Sequence, residues 1–505
     1  MSDNRRIAKN TLFLYFRMIL IMGVSLFTAR VVLDKLGVDD YGIYNVVGGV
    51  VGMLSFINGT LATSTSRFIT YELGKNDFGR LSKTFSTAFY THLGLAFLLS
   101  LVLETIGLWF VYNKLVIPPD RIHAAVVAYH ISIVTMLLSI TQVPYTALII
   151  AHEKMGIYAY VSIFEALARL AVVYMLTISS YDKLILYAIL NAIVSLLIIL
   201  LYGSYCRKKY YESRLSLICD RSIFRSLLGF SSWNIIAFLS ETLKYQGYLI
   251  LINLFFQPFV VAAQTIGNQV ANAMMQFVSN FRKAIEPQII KQYASQDYLG
   301  SKTLALQSTV LTFDLVLLLG LPSIFVMKTI MTIWLVEVPA YVVIFTQYII
   351  IQRIVGSLDT SLYTPMVAAG KLRTNALWGL LFGPGIFLLL YLIFKLGGDV
   401  MWLQYVGIIF ICICSLFVKP FILVREVEGY TIYDFIPCFA TCIKVAILSI
   451  AISYCAYFYV GNDEVFPSIV LFIISFSGVA ISSYIFLDKE MKSKLKLLVL
   501  KRIRI

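Results

Sequence analysis

The chain has 505 residues, of which 59% are hydrophobic and 13% charged, and its formal net charge is +14. A water-facing domain of this length needs far more charge to cover its surface, so a soluble fold is excluded and most of the surface must meet lipid. So basic a balance would suggest nucleic acid in a soluble protein; here Lys and Arg serve to orient the chain in a membrane, and no nucleic-acid partner is expected.

Apolar segments of about 20 residues, each able to cross a ~30 Å hydrocarbon core, recur along the whole chain. Fourteen spans are predicted, the first six near 9–33, 41–63, 84–112, 121–151, 157–178 and 182–205. The next six lie near 223–252, 257–282, 303–328, 339–369, 374–396 and 400–424, and two more near 434–460 and 466–487. The first is a retained helix rather than a cleaved signal, because its apolar stretch is too long and carries Arg17 and Arg30. An even number of spans puts both termini on one side. Outside the spans or at their ends that side carries 28 Lys and Arg, and the other carries six (Lys35, Lys114, Arg121, Lys183, Lys328 and Lys395), which places the termini in the cytoplasm. The tail from Lys489 to Ile505 is basic and suited to lie along anionic lipid.

The second half repeats the first. Leu36 to Gly49 can be laid on Leu254 to Gly267 without gaps, and Ser66–Asp77 on Glu286–Asp297 after a two-residue adjustment. Six spans separate the copies, so both have the same orientation, as parallel repeats do. The expected fold is all-α integral membrane with about 14 transmembrane helices, in two pseudo-symmetric six-helix lobes around a central cavity, plus two C-terminal helices. The lobes are expected at 1–205 and 223–424, with a basic cytoplasmic linker at 206–222, two extra helices at 425–487 and a basic cytoplasmic tail at 488–505.

Polar residues inside the spans are the functional candidates, because each is costly in hydrocarbon. Span two has small residues at Gly48, Gly52, Ser55, Gly59, Ala62 and Ser66, a stripe that serves close helix packing or sliding. Span eight carries an amide ladder, Gln264, Asn268, Asn272 and Gln276, that must meet protein or water. Span seven has Ser231, Asn234, Glu241, Lys244 and Tyr248 at helical spacing. Arg17, Arg30, Asn234, Lys244, Asn268, Asn272 and Arg353 are candidates to line a substrate cavity; Glu104, Glu241, Asp314 and Asp359 are candidates for ion coupling. Glu165 and Arg169, at i and i+4 in the favoured order, read as a local ion pair, and Lys419 and Lys444 as snorkelling residues. The seven cysteines and four histidines form no disulfide or zinc spacing; Cys412, Cys414, Cys438, Cys442 and Cys455 read as packing residues, and Cys206 and Cys219 as loop residues. No phosphate-binding loop or catalytic constellation is present in the sequence, so no cofactor, metal or enzymatic activity is expected.

The run Arg6-Ile-Ala-Lys-Asn-Thr-Leu, then Ala29-Arg30-Val-Val-Leu, then Leu36-Gly-Val-Asp-Asp-Tyr-Gly-Ile-Tyr-Asn resembles the bacterial polysaccharide biosynthesis proteins. These are the O-antigen and capsule-repeat flippases of the multidrug/oligosaccharidyl-lipid/polysaccharide exporter superfamily. The resemblance implies a bacterial inner-membrane protein that carries an undecaprenyl-diphosphate-linked oligosaccharide from the inner to the outer leaflet by alternating access. Membrane lipids, a polysaccharide polymerase and glycosyltransferases are its implied partners. A lipid II-type flippase and a multidrug/cation antiporter of the same superfamily remain alternatives, the latter disfavoured by arginines where a cationic substrate would want carboxylates in the first helix.

Overall fold

In the computed structural model the described residues are 2–74, 77–152, 154–179, 181–216, 220–225, 227, 242–371, 373–461, 464–488 and 492. The side chains of 2–17, 55, 56, 58–60, 63, 67, 71, 74, 155, 243, 244, 280, 283, 284, 287 and 294 fall outside that description. The described residues are helical, with no strand among them.

The helices follow the apolar segments. They are α1 (Ser2–Leu36), α2 (Val38–Gly52), α3 (Ser55–Gly74), α4 (Phe78–Asn113), α5 (Ile122–Ala151), α6 (Met155–Ile178), α7 (Lys183–Lys209), α8 (Tyr248–Phe255) and α9 (Pro258–Ala294). After them come α10 (Tyr298–Phe325), α11 (Met327–Trp334), α12 (Val342–Thr360), α13 (Tyr363–Ala368), α14 (Arg373–Lys395), α15 (Trp402–Glu426), α16 (Phe435–Val460) and α17 (Val465–Phe486). Ten helices among the described residues are long and apolar enough to cross a bilayer. The protein is a multi-pass membrane protein.

Three sequence expectations change in detail. The second span is divided between α2 and α3, and the tenth between α12 and α13. Cys206, expected in a loop, lies inside α7 and is buried, because that helix runs on to Lys209. Its last turn holds Arg207, Lys208 and Lys209, cations that the negative helix end favours.

The chain forms two compact units, residues 1–265 with 379–397, and residues 266–378 with 398–505. In the first, α5 packs along α7, α3 and α4, and α1 along α6. Its core gathers Ile69, Phe85, Tyr145, Leu148, Ile149, Ile198 and Tyr202. Residues 379–397 join this unit through aromatic contacts: Tyr391 and Phe394 pack on Phe255, with ring centroids 5.5 and 5.7 Å apart. Gly42 permits a close approach in this unit, since a Cβ there would strike the Pro258 carbonyl.

In the second unit α10 packs against α12, α16 and α17. Ser308 and Thr312 meet the Ser361 hydroxyl at 3.2 and 3.1 Å, and Lys302 pairs with Asp434 at 3.0 Å. The aligned Asp77 and Asp297 share one role: each carboxylate accepts from the backbone amide three residues on, Arg80 and Gly300, at 2.9 Å. Each thereby caps a long helix.

Candidate functional site

The first unit contains a cavity of about 270 Å³ lined by α2, α5 and α7. Tyr44, Gly48 and Gly52 line it from α2; Ser132, Thr135 and Ser139 line it from α5. The three hydroxyl residues recur at i, i+3 and i+7 and so share one helix face. Ser132 and Thr135 donate to the carbonyls four residues back, Ala128 at 2.8 Å and Ile131 at 2.9 Å, and keep their lone pairs available. Gly48 has no atom near its vacant Cβ direction, whereas a Cβ on Gly52 would lie 2.9 Å from the Gln246 amide nitrogen. The small-residue stripe thus opens space at Gly48 and admits a polar neighbour at Gly52.

A polar string borders this cavity. Tyr44 meets Tyr187 edge-on at 4.7 Å. One turn further along α7, Asn191 accepts from Arg169 Nη1 at 2.8 Å, and Arg169 pairs with Glu165 at 2.9 Å. The i,i+4 pair read from the sequence is therefore present, extended by an asparagine from α7.

At one end of the unit Arg121 grips two carboxylates. Its Nε donates to Asp40 at 2.8 Å and its Nη1 to Asp182 at 2.6 Å. This fork ties the starts of α2, α5 and α7 together. At the other end His152 meets Glu212 at 2.7 Å and stacks on Tyr210 at 4.1 Å. Burial, then the neighbouring Tyr205, pushes the Tyr210 phenol above its ordinary value.

In the second unit the amide ladder emerges from the protein as α9 proceeds. Asn268 is buried, while Asn272 and Gln276 are exposed. Arg353 of α12 reaches the ladder, with Nη2 donating to Asn272 Oδ1 at 3.5 Å. The crossing is set by Gly267, whose absent side chain leaves room for Thr346 and Ile349. Two helical turns beyond Thr346, on the same face, comes Arg353.

The remaining sequence candidates are dispersed. Arg30 is half-buried near the end of α1. Glu104 pairs with His130 at 3.0 Å, both well exposed, where α4 widens into a π turn over Leu103–Gly107. Asp314 is buried between α10, α16 and α17, and Asp359 is half-buried on α12. Lys419, expected to snorkel, donates to Asn375 at 2.5 Å and lies over the Tyr363 ring. Asn234, Glu241 and the side chains of Arg17 and Lys244 lie outside the described residues. Sequence reasoning did not single out Tyr44, Ser132, Thr135, Ser139 or Asn191, because lone hydroxyls and amides in apolar runs leave the hydropathy pattern intact; an i, i+3, i+7 count of hydroxyls in α5 is the signal that finds the first group.

No family model matches this sequence, and no curated protein matches it. The fold has counterparts among solved membrane transporters. The chain is similar to the lipid II flippase MurJ in an inward closed conformation, with a TM-score of 0.68 at 12% identity over 95% of this chain and 98% of that one. It is also similar to an inward-facing multidrug resistance MATE family transporter of the MOP superfamily, at 0.60 and 11% over 81% and 94%. A MOP superfamily transporter from Pyrococcus furiosus, described as having a binding pocket of reverse polarity, superposes at 0.51 and 9% over 83% and 92%. The all-helical fold is the one these proteins share.

Proposed function

We propose that the chain is a flippase that moves an undecaprenyl-diphosphate-linked oligosaccharide repeat unit, of O-antigen, capsule or exopolysaccharide, across the bacterial inner membrane by alternating access. The observation that carries this reading is the contact between Arg353 and Asn272 at the emerging end of the amide ladder. A guanidinium suits a diphosphate and an amide suits sugar hydroxyls, and both groups of such a substrate are otherwise barred by hydrocarbon. The likeness to MurJ over nearly the whole of both chains supports a lipid-linked substrate. The sequence repeat supports two moving lobes, 1–205 and 223–424, with the termini cytoplasmic as the charge count requires. Arg17, Arg30, Asn234, Lys244 and Asn268 belong to the proposed substrate path, and Glu104, Glu241, Asp314 and Asp359 to ion coupling. No chemical step is assigned to the chain.

Arg353→Ala alone and together with Arg17→Ala is the test, in cells whose surface polysaccharide depends on this chain. Polysaccharide should disappear while the protein stays in the membrane; an unchanged yield from the double variant would overturn the cationic path. The MurJ likeness favours one further reading, a lipid II-type flippase. Rescue of cells depleted of their own lipid II flippase would select it, and rescue of surface polysaccharide alone would select the first.

A further inference from the structure

Helices α10, α16 and α17 pack pairwise on one another in the second unit. Small hydroxyls are buried in this bundle. Ser468, Ser475 and Ser482 recur every seven residues on α17, and Ser449 and Ser453 lie on α16, all of them 3% exposed or less. Their size is explained by close helix packing. Packing does not explain Asp314, which enters the same seam from α10.

Asp314 is 7% exposed, so its carboxyl is removed from solvent and lipid alike. It approaches the Ser483 hydroxyl of α17 and lies near Cys442 of α16. Its Oδ1 has no hydrogen-bond partner among the described residues, and neither do the hydroxyls of Ser449, Ser453 and Ser475. Several titratable groups lie on the surrounding helices. Arg353 reaches Asn272, Asp359 is half-buried on α12, Tyr363 of α13 lies under Lys419, and Lys328, Lys444 and Tyr484 are exposed. No ion pair to the carboxyl is present among the described residues.

We infer that Asp314 is a proton-binding site: the carboxyl holds a proton in the dry seam and exchanges it with the hydroxyls that line it. A bare carboxylate with one undonated oxygen and no counter-ion is expensive in such surroundings, and a bound proton removes that cost. A metal ion fits worse, since it wants several converging oxygens and no group of three His, Cys, Asp or Glu is gathered among the described residues. The exchange is an addition of H⁺ to one carboxylate oxygen and its release from the same oxygen. On one side Ser483 lies within a turn of the α17 end at Phe486. On the other, buried hydroxyls recur along the same two helices at Ser449, Ser453, Ser475 and Ser468, and the last bonds Thr329 at 2.7 Å. Coupling of this proton to translocation rests on the flippase reading; the binding itself does not.

Infrared difference spectra between acidic and alkaline buffer, taken on the full chain in liposomes, test the site without any substrate. The wild type should show a protonated-carboxyl band that changes with pH, Asp314→Asn should lose it, and Asp314→Glu should shift it without loss. The same band in wild type and Asp314→Asn would overturn the proposal, with the retained band of Asp314→Glu guarding against a merely misfolded variant. Translocation of a fluorescent lipid-linked sugar under an imposed pH gradient is then measured separately. Gradient dependence in the wild type that Asp314→Asn lacks supports coupling, and equal dependence in both refutes it. A wild type that moves no such lipid refutes the flippase reading and leaves the infrared result to decide the proton site.

Discussion

The Tyr129 hydroxyl donates to the Leu103 carbonyl at 2.7 Å, at the point where α4 widens into a π turn. The extra residue of a π turn takes a carbonyl out of the regular ladder, and a tyrosine from α5 supplies the missing donor. Gly107 makes this possible, because a Cβ there would collide with the Tyr129 hydroxyl. Tyr129→Phe should therefore cost about 0.6–1.7 kcal/mol, the range of hydrogen bonds between membrane helices. Gly107→Ala should cost more, since it expels the phenol and leaves its place overfilled. Thermal unfolding in detergent measures both, and equal melting of Tyr129→Phe and wild type would show that the bond contributes nothing.

Arg121 is a clamp whose geometry lysine cannot reproduce. Its fork serves Asp40 and Asp182 at once, with the three side chains 16–31% exposed. Removal of one partner from a fully buried pair costs about 3–5 kcal/mol. Partial exposure and screening reduce that to about 2 kcal/mol for Arg121→Ala, because Asp40 and Asp182 are left to face each other. Arg121→Lys should restore less than half, being a point charge in place of a planar fork. The Asp40→Asn, Arg121→Ala double variant, compared with each single change by melting, should show non-additivity; strictly additive losses would show that the two residues act independently.

Two glycines of one helix should answer oppositely. Gly42→Ala drives a methyl group into the Pro258 carbonyl, a backbone atom that cannot swing aside, and should cost about 1–3 kcal/mol. Gly48→Ala meets nothing and projects into the hydroxyl-lined cavity, so it should melt like the wild type. Gly48→Leu would occupy part of the 270 Å³. Reduced translocation by a normally melting Gly48→Leu protein would assign the cavity to the transport path; unchanged translocation would mark it as a packing defect.

The helices were legible because an apolar run long enough to cross a bilayer has few other solutions. Glu165 and Arg169 were legible because their spacing alone brings them together. The shared capping role of Asp77 and Asp297 matches the repeat found by aligning segments. The grip of Arg121 was not legible, since its partners lie 81 and 61 residues away and the sequence marks Arg121 only as a loop cation. The end of α7 was misplaced because a cluster of cations reads as a loop, although a helix C-terminus accepts them. Of the candidate site, the amide ladder stood out through its four-residue period, but its partner did not: Arg353 reaches Asn272 because Gly267 lets two helices close, and a glycine does not announce which helix it admits.

That last contact gives the most discriminating substitution. A Cβ on Gly267 would lie 2.8 Å from the end of the Ile349 side chain, which can turn away, and 3.4 Å from the Thr346 Cα, which cannot. Gly267→Ala should be accommodated by rotation of Ile349 at a cost of about 1 kcal/mol, whereas the branched Gly267→Val must push α9 from α12 and should cost about 2–3 kcal/mol. Separation of the helices would also draw Asn272 away from Arg353, so Gly267→Val should weaken binding of a lipid-linked diphosphate although neither binding group has changed. Asn272→Asp should act differently, leaving the packing intact and giving Arg353 a carboxylate that competes with the diphosphate. If affinity falls with Gly267→Val and with Asn272→Asp while melting falls only with the former, the arginine–asparagine pair is the recognition element. If affinity follows melting in every variant, the pair is structural and the diphosphate is held elsewhere.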